Sequence, residues 1–497
     1  MNQLLLWPIL VPLLAVAGGY FLLRFTGLSD KTFYLLVAIS NFIPLVFLAG
    51  PVLGGRVFTY RMGGWFYKQG IILALDRFSF FMLVLVSFYF LIAFVWGQSS
   101  KIEERSRFFI LLCVSQAGMG GLALTADIFN MYVFLEIVSI TLYALVAYKK
   151  TAEGMEAGFK YIIIGSLGGF FILWAIGLVY GATGNLNLAY LSQNFAGVPS
   201  TIKIATLTFF TVGFALKFAI FPLHAWKVDV MTGAPVVINA LLAGIGGKIP
   251  LYCLLRIYSL LFGWDYLIEV GLFSILSFLA VITIFVGHLM AFRQDNLKRL
   301  LAYSSVAHIG YIVAALAVVT SEGIQGAVFH VLNHGIMKAG LFLIAGAFIY
   351  ELGTENIDEL KGAHYRRPFL SVSFLILSLG MIGMPPVNGF LSKWQMVLST
   401  MAAGAYISSL AIIIGGFMAL LYYLRIAVSL FSRAEENNTA ENEKYSLALN
   451  FKLPIYSLVF ISLAIFINAN IFHRLIGSVI TPLFEISPYV TAILEGV

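Results

Sequence analysis

The chain has 497 residues, 61% of them hydrophobic and 11% charged, against roughly 45–50% and 25% in soluble domains. That composition sets soluble classes aside, nucleic-acid binding among them, and the formal charge of +7 reports basic loops at a membrane surface rather than an acidic partner. The fold class it points to is an all-α polytopic membrane protein, because apolar runs long enough to cross about 30 Å of hydrocarbon recur from end to end without the alternation of a β-barrel.

Fourteen spans are predicted, at about 4–23, 32–50, 78–97, 107–124, 128–148, 157–181, 204–221, 234–256, 267–290, 300–319, 323–349, 369–391, 406–431 and 453–473. The first, MNQLLLWPILVPLLAVAGGYFLLR, has neither a basic n-region nor a small-residue cleavage site and reads as a retained helix. Cys113 and Cys253 lie in separate apolar spans and form no Cys-x-x-Cys cluster. Iron–sulfur and zinc are therefore not expected, no cofactor is assigned, and any redox centre belongs to another subunit.

Connections after odd-numbered spans carry 17 basic residues: Arg24, Lys31, Lys101, Arg105, Arg107, Lys149, Lys150, Lys227, Arg293, Lys298, Arg299, Lys361, Arg366, Arg367, Arg433, Lys444 and Lys452. The other side has seven: Arg56, Arg61, Lys68, Arg77, Lys203, Arg256 and Arg474. The richer side is expected to be cytoplasmic, which puts both termini outside a plasma or inner membrane; only the 51–76 connection runs against the trend. Polar loops are expected at 182–203, 351–367 and 432–452, the last containing EENNTAENEK. Lys160, Lys217, Lys248, Lys338, Lys393 and Arg425 remain within or at the ends of spans.

In the fifth span Glu136 has at least eight uncharged residues on either side. Two readings stand: a neutral acid hydrogen-bonded to a neighbouring helix, or an ion pair with a buried lysine, best Lys217, in which each partner keeps the other charged. Lys217 and Lys248 flank a connection that Pro222 and Pro235 prevent from being one helix. An ammonium at the bilayer centre costs about 3 to well over 10 kcal/mol, so such lysines face protein or a watered cavity, and irregular backbone at that depth marks an ion path. In the eleventh span His330, His334 and Lys338 recur every four residues and form one stripe able to relay protons. A zinc site there is disfavoured by the adjacent lysine and the lack of a third ligand. In the twelfth, GMIGMPPVNGFLSKWQM breaks at Pro385 and Pro386, with Lys393 one to two turns beyond. For His224 and His308 a functional role and a satisfied core position stand side by side, and Asp229 reads as a half-helix cap. A faint repeat is present: Lys160 and Lys217 are 57 residues apart, Lys338 and Lys393 are 55 apart, and each pair ends near a proline-broken span.

The stretches KFAIFPLHAWKVDVMTGAP, DNLKRLLAYSSVAHIGY, FHVLNHGIMKAGLFL and GMPPVNGFLSKW resemble the motifs of antiporter-like proton-translocating subunits, shared by Mrp-type sodium/proton antiporters, membrane-bound hydrogenase-type complexes and respiratory complex I. The resemblance covers about 70–430. It implies two inverted five-helix bundles with broken helices, at 107–256 and 267–431, preceded by N-terminal helices at 1–106 and followed at 432–497 by a cytoplasmic loop and the last transmembrane helix. It further implies Glu136 and Lys217 as the ion pair of the first half-channel, Lys248 as the central lysine, and His330, His334 and Lys338 as the link to Lys393. Lys393 and the absence of a long lateral helix favour a D-type Mrp protein or its hydrogenase-type counterpart. Lys227 and Asn239 depart from the pattern, which has an uncharged residue and a small hydroxyl residue there.

Two functions follow: a subunit of a Na⁺/H⁺ antiporter, or the proton-pumping arm of a hydrogenase- or NADH:quinone oxidoreductase-type complex driven by a peripheral redox module. A stand-alone solute carrier or a structural scaffold fits less well. Expected partners are the lipid bilayer and other membrane subunits, homologous antiporter-like ones among them. Sodium needs several oxygen ligands, and Glu136 is the one carboxylate read as buried, so this chain is expected to carry protons and leave Na⁺ to a partner.

Overall fold

The computed structural model describes residues 1–66, 68–99, 102–433 and 447–495. Helices dominate: α1 Trp7–Thr26, α2 Asp30–Ser40, α3 Phe42–Leu53, α4 Arg77–Gly97, α5 Arg105–Leu124, α6 Ile128–Val146 and α7 Ala152–Thr183. After the short α8, Leu188–Asn194, come α9 Ser200–Phe218, α10 Ala225–Gly233, α11 Val236–Leu241, α12 Ile249–Ile257, α13 Trp264–Glu269, α14 Leu272–Phe292, α15 Leu297–Leu316 and α16 Ser321–Leu352. The chain continues through α17 Ala363–Arg366, α18 Pro368–Ile382, α19 Asn388–Ala402, α20 Tyr406–Phe431, α21 Leu449–Ile467, α22 Ala469–Phe484 and α23 Ser487–Glu495. Among the described residues thirteen helical stretches, with α2 and α3 counted as one and α11 and α12 as one, are long and apolar enough to cross a membrane. With the broken pair α18 and α19, they account for the fourteen expected spans.

Polar residues punctuate the apolar sequence at the helix starts. Asp76, Asp127, Thr151, Asn296 and Thr320 each accept a hydrogen bond from a first-turn amide, supplying the partner those orphan N–H groups lack. The 32-residue helices α7 and α16 end alike, on Gly184 at φ 65° and Gly353 at φ 72°, a left-handed cap that glycine adopts without strain.

Three features differ from the sequence reading. The 51–76 connection is a small antiparallel hairpin, β1 Phe58–Arg61 on β2 Ile72–Leu75 with Phe58 opposite Leu75, too short to show as a pattern. The second span is interrupted at the buried Asn41, whose side-chain amide donates to the Val37 carbonyl. After the fourteenth span the chain adds α22 and α23, bent 60° from each other, where only a last transmembrane helix was expected. This pair stays on one side of the bundle: Gln325, at the start of α16, donates to the His473 carbonyl, and α23 packs on α8 and the hairpin. The N-terminal turn, Asn2–Leu6, also packs on the hairpin, so that turn and α23 lie on the same side. Residues 434–446 of the expected 432–452 loop lie outside the described residues.

Candidate ion-translocation site

Two breaks organise the interior. Helix α9 stops at Phe218, Ala219 takes φ 65°, the Phe221–Pro222 peptide is cis, and the chain resumes at α10. Thr283 of α14 accepts from the freed Phe221 amide at 3.1 Å, and Trp226 Nε1 donates to the Leu216 carbonyl at 3.1 Å, so the exposed backbone is paired inside the protein. The second break, between α18 and α19, carries a cis Pro385–Pro386 peptide. Here Lys393 Nζ donates to the Met381 and Ile382 carbonyls at 2.7 and 3.1 Å, capping the free end of α18 with a cation.

Lys217, in the last turn of α9, donates to Glu136 Oε1 at 3.3 Å and to Ser139 Oγ at 2.8 Å. Space for this pair comes from α7. A Cβ at Gly169 would stand 2.5 Å from Glu136 Oε1, and one at Gly168 would stand 3.0 Å from the Gly213 carbonyl and 3.5 Å from Lys217 Cε. The Glu136 side chain is 23% exposed on the outer face of α6.

Lys248 lies at the centre, buried, where the eighth span changes character: α11 passes through a π-helical turn, Leu242–Gly246, before α12 begins. Such turns re-aim side chains and recur at functional sites. Tyr89 of α4 wedges beside it, against Gly244 and against Gly335 of α16.

Beyond the centre, α14, α15, α16, α19 and α20 enclose a continuous set of polar groups. Lys338 Nζ donates to Tyr423 Oη and to the Leu301 carbonyl, both at 3.1 Å. Tyr423 and Tyr422 both meet Ser304 Oγ, at 3.1 and 3.0 Å, and Tyr422 Oη lies 3.1 Å from His288 Nδ1. His288 Nε2 is 2.5 Å from Tyr311 Oη, and Lys393 Nζ sits 4.6 Å from the centre of the Tyr311 ring. A parallel branch runs from His308 Nδ1 to His330 Nε2 at 2.9 Å and from His330 Nδ1 to Ser392 Oγ at 2.9 Å, one residue from Lys393. His334 makes no hydrogen bond among the described residues, but its ring stacks on His308 with centroids 5.0 Å apart. Lys393 also borders a cavity of about 310 Å³ between the α18 break, α19 and α20.

Residues 125–421 match the family described as NADH:quinone oxidoreductase/Mrp antiporter, TM. The chain belongs to this family. It is 33% identical over 442 residues, 88% of each chain, to NADH-quinone oxidoreductase subunit N of Desulforudis audaxviator. To the D-type Na(+)/H(+) antiporter protein of Alkalihalophilus pseudofirmus it is 28% identical over 504 residues, covering both chains in full. A chain of the membrane-bound sulfane sulfur reductase, an archaeal respiratory membrane complex, superposes with TM-score 0.90 at 28% identity over 99% of this chain and 100% of that one.

Within this antiporter-family chain several positions correct the sequence reading. Lys227, counted above among loop residues, is buried on α10, and its Nζ lies 3.4 Å from where a Cβ of Gly247 would be. It stands next to Lys248, so the eighth and eleventh spans are not alone in offering titratable groups at the centre. Arg256, also counted as a loop residue, is buried in α12. Lys160 is 42% exposed and pairs with Glu156 and Asp229, both at 2.8 Å, so it is no counterpart of the buried Lys338. Asp229 is an ion-pair partner within α10 rather than a cap. Among the described residues the most buried carboxylate is Asp76, not Glu136. His288, Ser304, Tyr311, Tyr422 and Tyr423 were missed; the only linear signals were a histidine inside the ninth span and a tyrosine pair inside the thirteenth.

Proposed function

We propose that this chain is the proton-translocating subunit of a multisubunit membrane complex, either an Mrp-type cation/proton antiporter or the antiporter module of a redox-driven complex. The observation that carries the proposal is the series of titratable groups and hydroxyls from the partly exposed Glu136 and the buried Lys217 through the buried Lys227 and Lys248 to the buried Lys338 and Lys393, in an apolar setting. Each such cation costs several kcal/mol to hold at membrane depth. In this reading protons enter at Glu136 and Lys217, cross by Lys248, His330, His334 and Lys338, and leave at Lys393. A lysine passes a proton by alternating between ammonium donor and amine acceptor; the hydroxyls and imidazoles between accept and donate in turn.

Two inverted five-helix units, 107–256 and 267–431, fit this route. Their correspondence is supported by the equal lengths and caps of α7 and α16 and by the isolated bridges Asp127 to Asn187 and Asn296 to Asn356, which join equivalent loops on opposite sides. Moving Lys227 and Arg256 into spans leaves 16 basic residues against 6, which favours both termini outside a plasma or inner membrane. The partly exposed Glu136 argues for a neighbouring membrane protein over α6 and α7, since a carboxylate does not face lipid. Sodium is left to a partner.

Proton flux in reconstituted complexes carrying Lys248→Ala or His334→Ala tests the route. Both variants should slow it with assembly intact; undiminished flux in both leaves separate half-channels as the better reading. Whether the purified complex holds flavin, iron–sulfur or nickel separates the redox-driven form from the antiporter.

A further inference from the structure

Helix α12 carries a polar feature that the proposed route enters only at Lys248. Lys248, Tyr252 and Arg256 follow one another at intervals of four, so they share one face of the helix as it runs from the central lysine toward the side of α8 and the hairpin. Tyr252 donates its single proton to the Ala123 carbonyl at 2.8 Å, and its oxygen lies 3.0 Å from Ser79 Oγ at the start of α4. Beyond these hydroxyls stands Arg256, donating from Nε to Tyr252 Oη at 3.3 Å and from Nη2 to Ser79 Oγ at 2.9 Å. The same Nη2 pairs with Asp76, and both side chains are 2% exposed. Three rings box the guanidinium at 5.0 to 5.4 Å: Phe78 of α4, Tyr252 of α12 and Tyr489 of α23.

We propose that Arg256 is a proton stop, which keeps a proton on Lys248 from leaving directly along α12 to the hairpin side and so commits it to the lateral route. Passage along a chain of hydroxyls requires each group to accept as well as donate. A guanidinium only donates and, with a pKa above about 12, does not release its proton. Arg256 donates to the oxygens of both Tyr252 and Ser79, and its Nη2 also holds Asp76, the base such a leak would reach, whose Oδ1 accepts the Ser79 amide at 2.8 Å. Tyr489 gives the C-terminal helix pair a role in sealing this stop. The inference rests on the proposed route through Lys248.

The test is passive proton leak in vesicles containing the intact complex, under an imposed pH gradient with no driving reaction and no exchange cation. Arg256→Gln opens Tyr252 and Ser79 to Asp76, and leak should rise at least about tenfold once the cationic barrier is gone. Arg256→His keeps a cation beside Asp76 yet can pass a proton, and should leak most below pH about 6.5. Adding Tyr252→Phe should suppress either leak, which a loosened helix contact would not explain. An assembled Arg256→Gln or Arg256→His complex as tight as wild type overturns the proposal. Failure of both to assemble overturns it too, leaving Arg256 a brace between α4 and α12. A leak that survives Lys248→Ala in the Arg256→Gln background shows that the path does not begin at Lys248. Coupled flux in Lys248→Ala alone judges the lateral route independently.

Discussion

Replacing Gly169 by alanine perturbs the Glu136 and Lys217 pair without removing either charge. The added methyl would meet Glu136 Oε1 at 2.5 Å and its carboxyl carbon at 3.1 Å, too close on both counts, so the carboxylate must leave its present place, 3.3 Å from Lys217 Nζ. At an effective dielectric of about 20 the attraction falls from about 5 kcal/mol at that distance to about 3 kcal/mol at about 5 Å. Screening at the partly exposed Glu136 reduces the loss to about 1 kcal/mol, equivalent to about a fivefold fall in a rate that depends on the pair. Gly177→Ala on the same helix is the control, because a Cβ there meets nothing within 4 Å. The assay is proton flux in reconstituted vesicles, with assembly of the complex followed in parallel. Gly169→Ala flux equal to that of Gly177→Ala, with assembly equal, would refute the claim that this pair governs translocation.

Further outcomes follow from the same geometry. Glu136→Ala leaves Lys217 uncompensated, and loss of one partner of a buried pair costs about 3–5 kcal/mol, an upper bound at this partly exposed site, so flux should collapse while Glu136→Asp retains part of it. Lys393→Arg keeps the charge but releases no proton; assembly should survive and translocation should not, and normal flux would reduce Lys393 to a structural charge. Tyr423→Phe removes the hydroxyl that Lys338 reaches at 3.1 Å and should slow flux several-fold, with Tyr422→Phe as a second point on the same branch. At the loop between α5 and α6, burial pushes the Asp127 carboxyl up to about 6 although it caps the Asn130 amide at 2.7 Å. A raised carboxyl pKa favours the folded state at low pH, so stability should fall by up to about 3 kcal/mol as pH rises from about 4 to about 6 and then level off. Asp127→Asn, which still caps, should flatten that dependence in thermal melts; an unchanged profile would refute the assignment.

The membrane class, the fourteen spans and the two interruptions were legible in the linear sequence, since hydropathy, proline position and the rarity of lysine in apolar runs are local properties. Lys217, Lys248, Lys338 and Lys393 stood out for that reason, and all four are buried. Lys227 and Arg256 were assigned to loops because span boundaries drawn from hydropathy stop where a charge appears, whether or not the helix does. The hairpin, with strands of four residues, carried too little pattern to be seen. Which oxygen meets which nitrogen was settled only by tertiary packing. The pairing of Glu136 with Lys217, 81 residues apart, was one of two readings open in the sequence and was implied by the family resemblance; that of Asp76 with Arg256, 180 apart, had no linear signal, and the proposed route from Lys338 to Lys393 depends on hydroxyls from α15 and α20. A buried charge is costly wherever it sits and so marks itself in sequence, but its partner is chosen by helix packing, through glycines such as Gly169 that leave room for one side chain and no other.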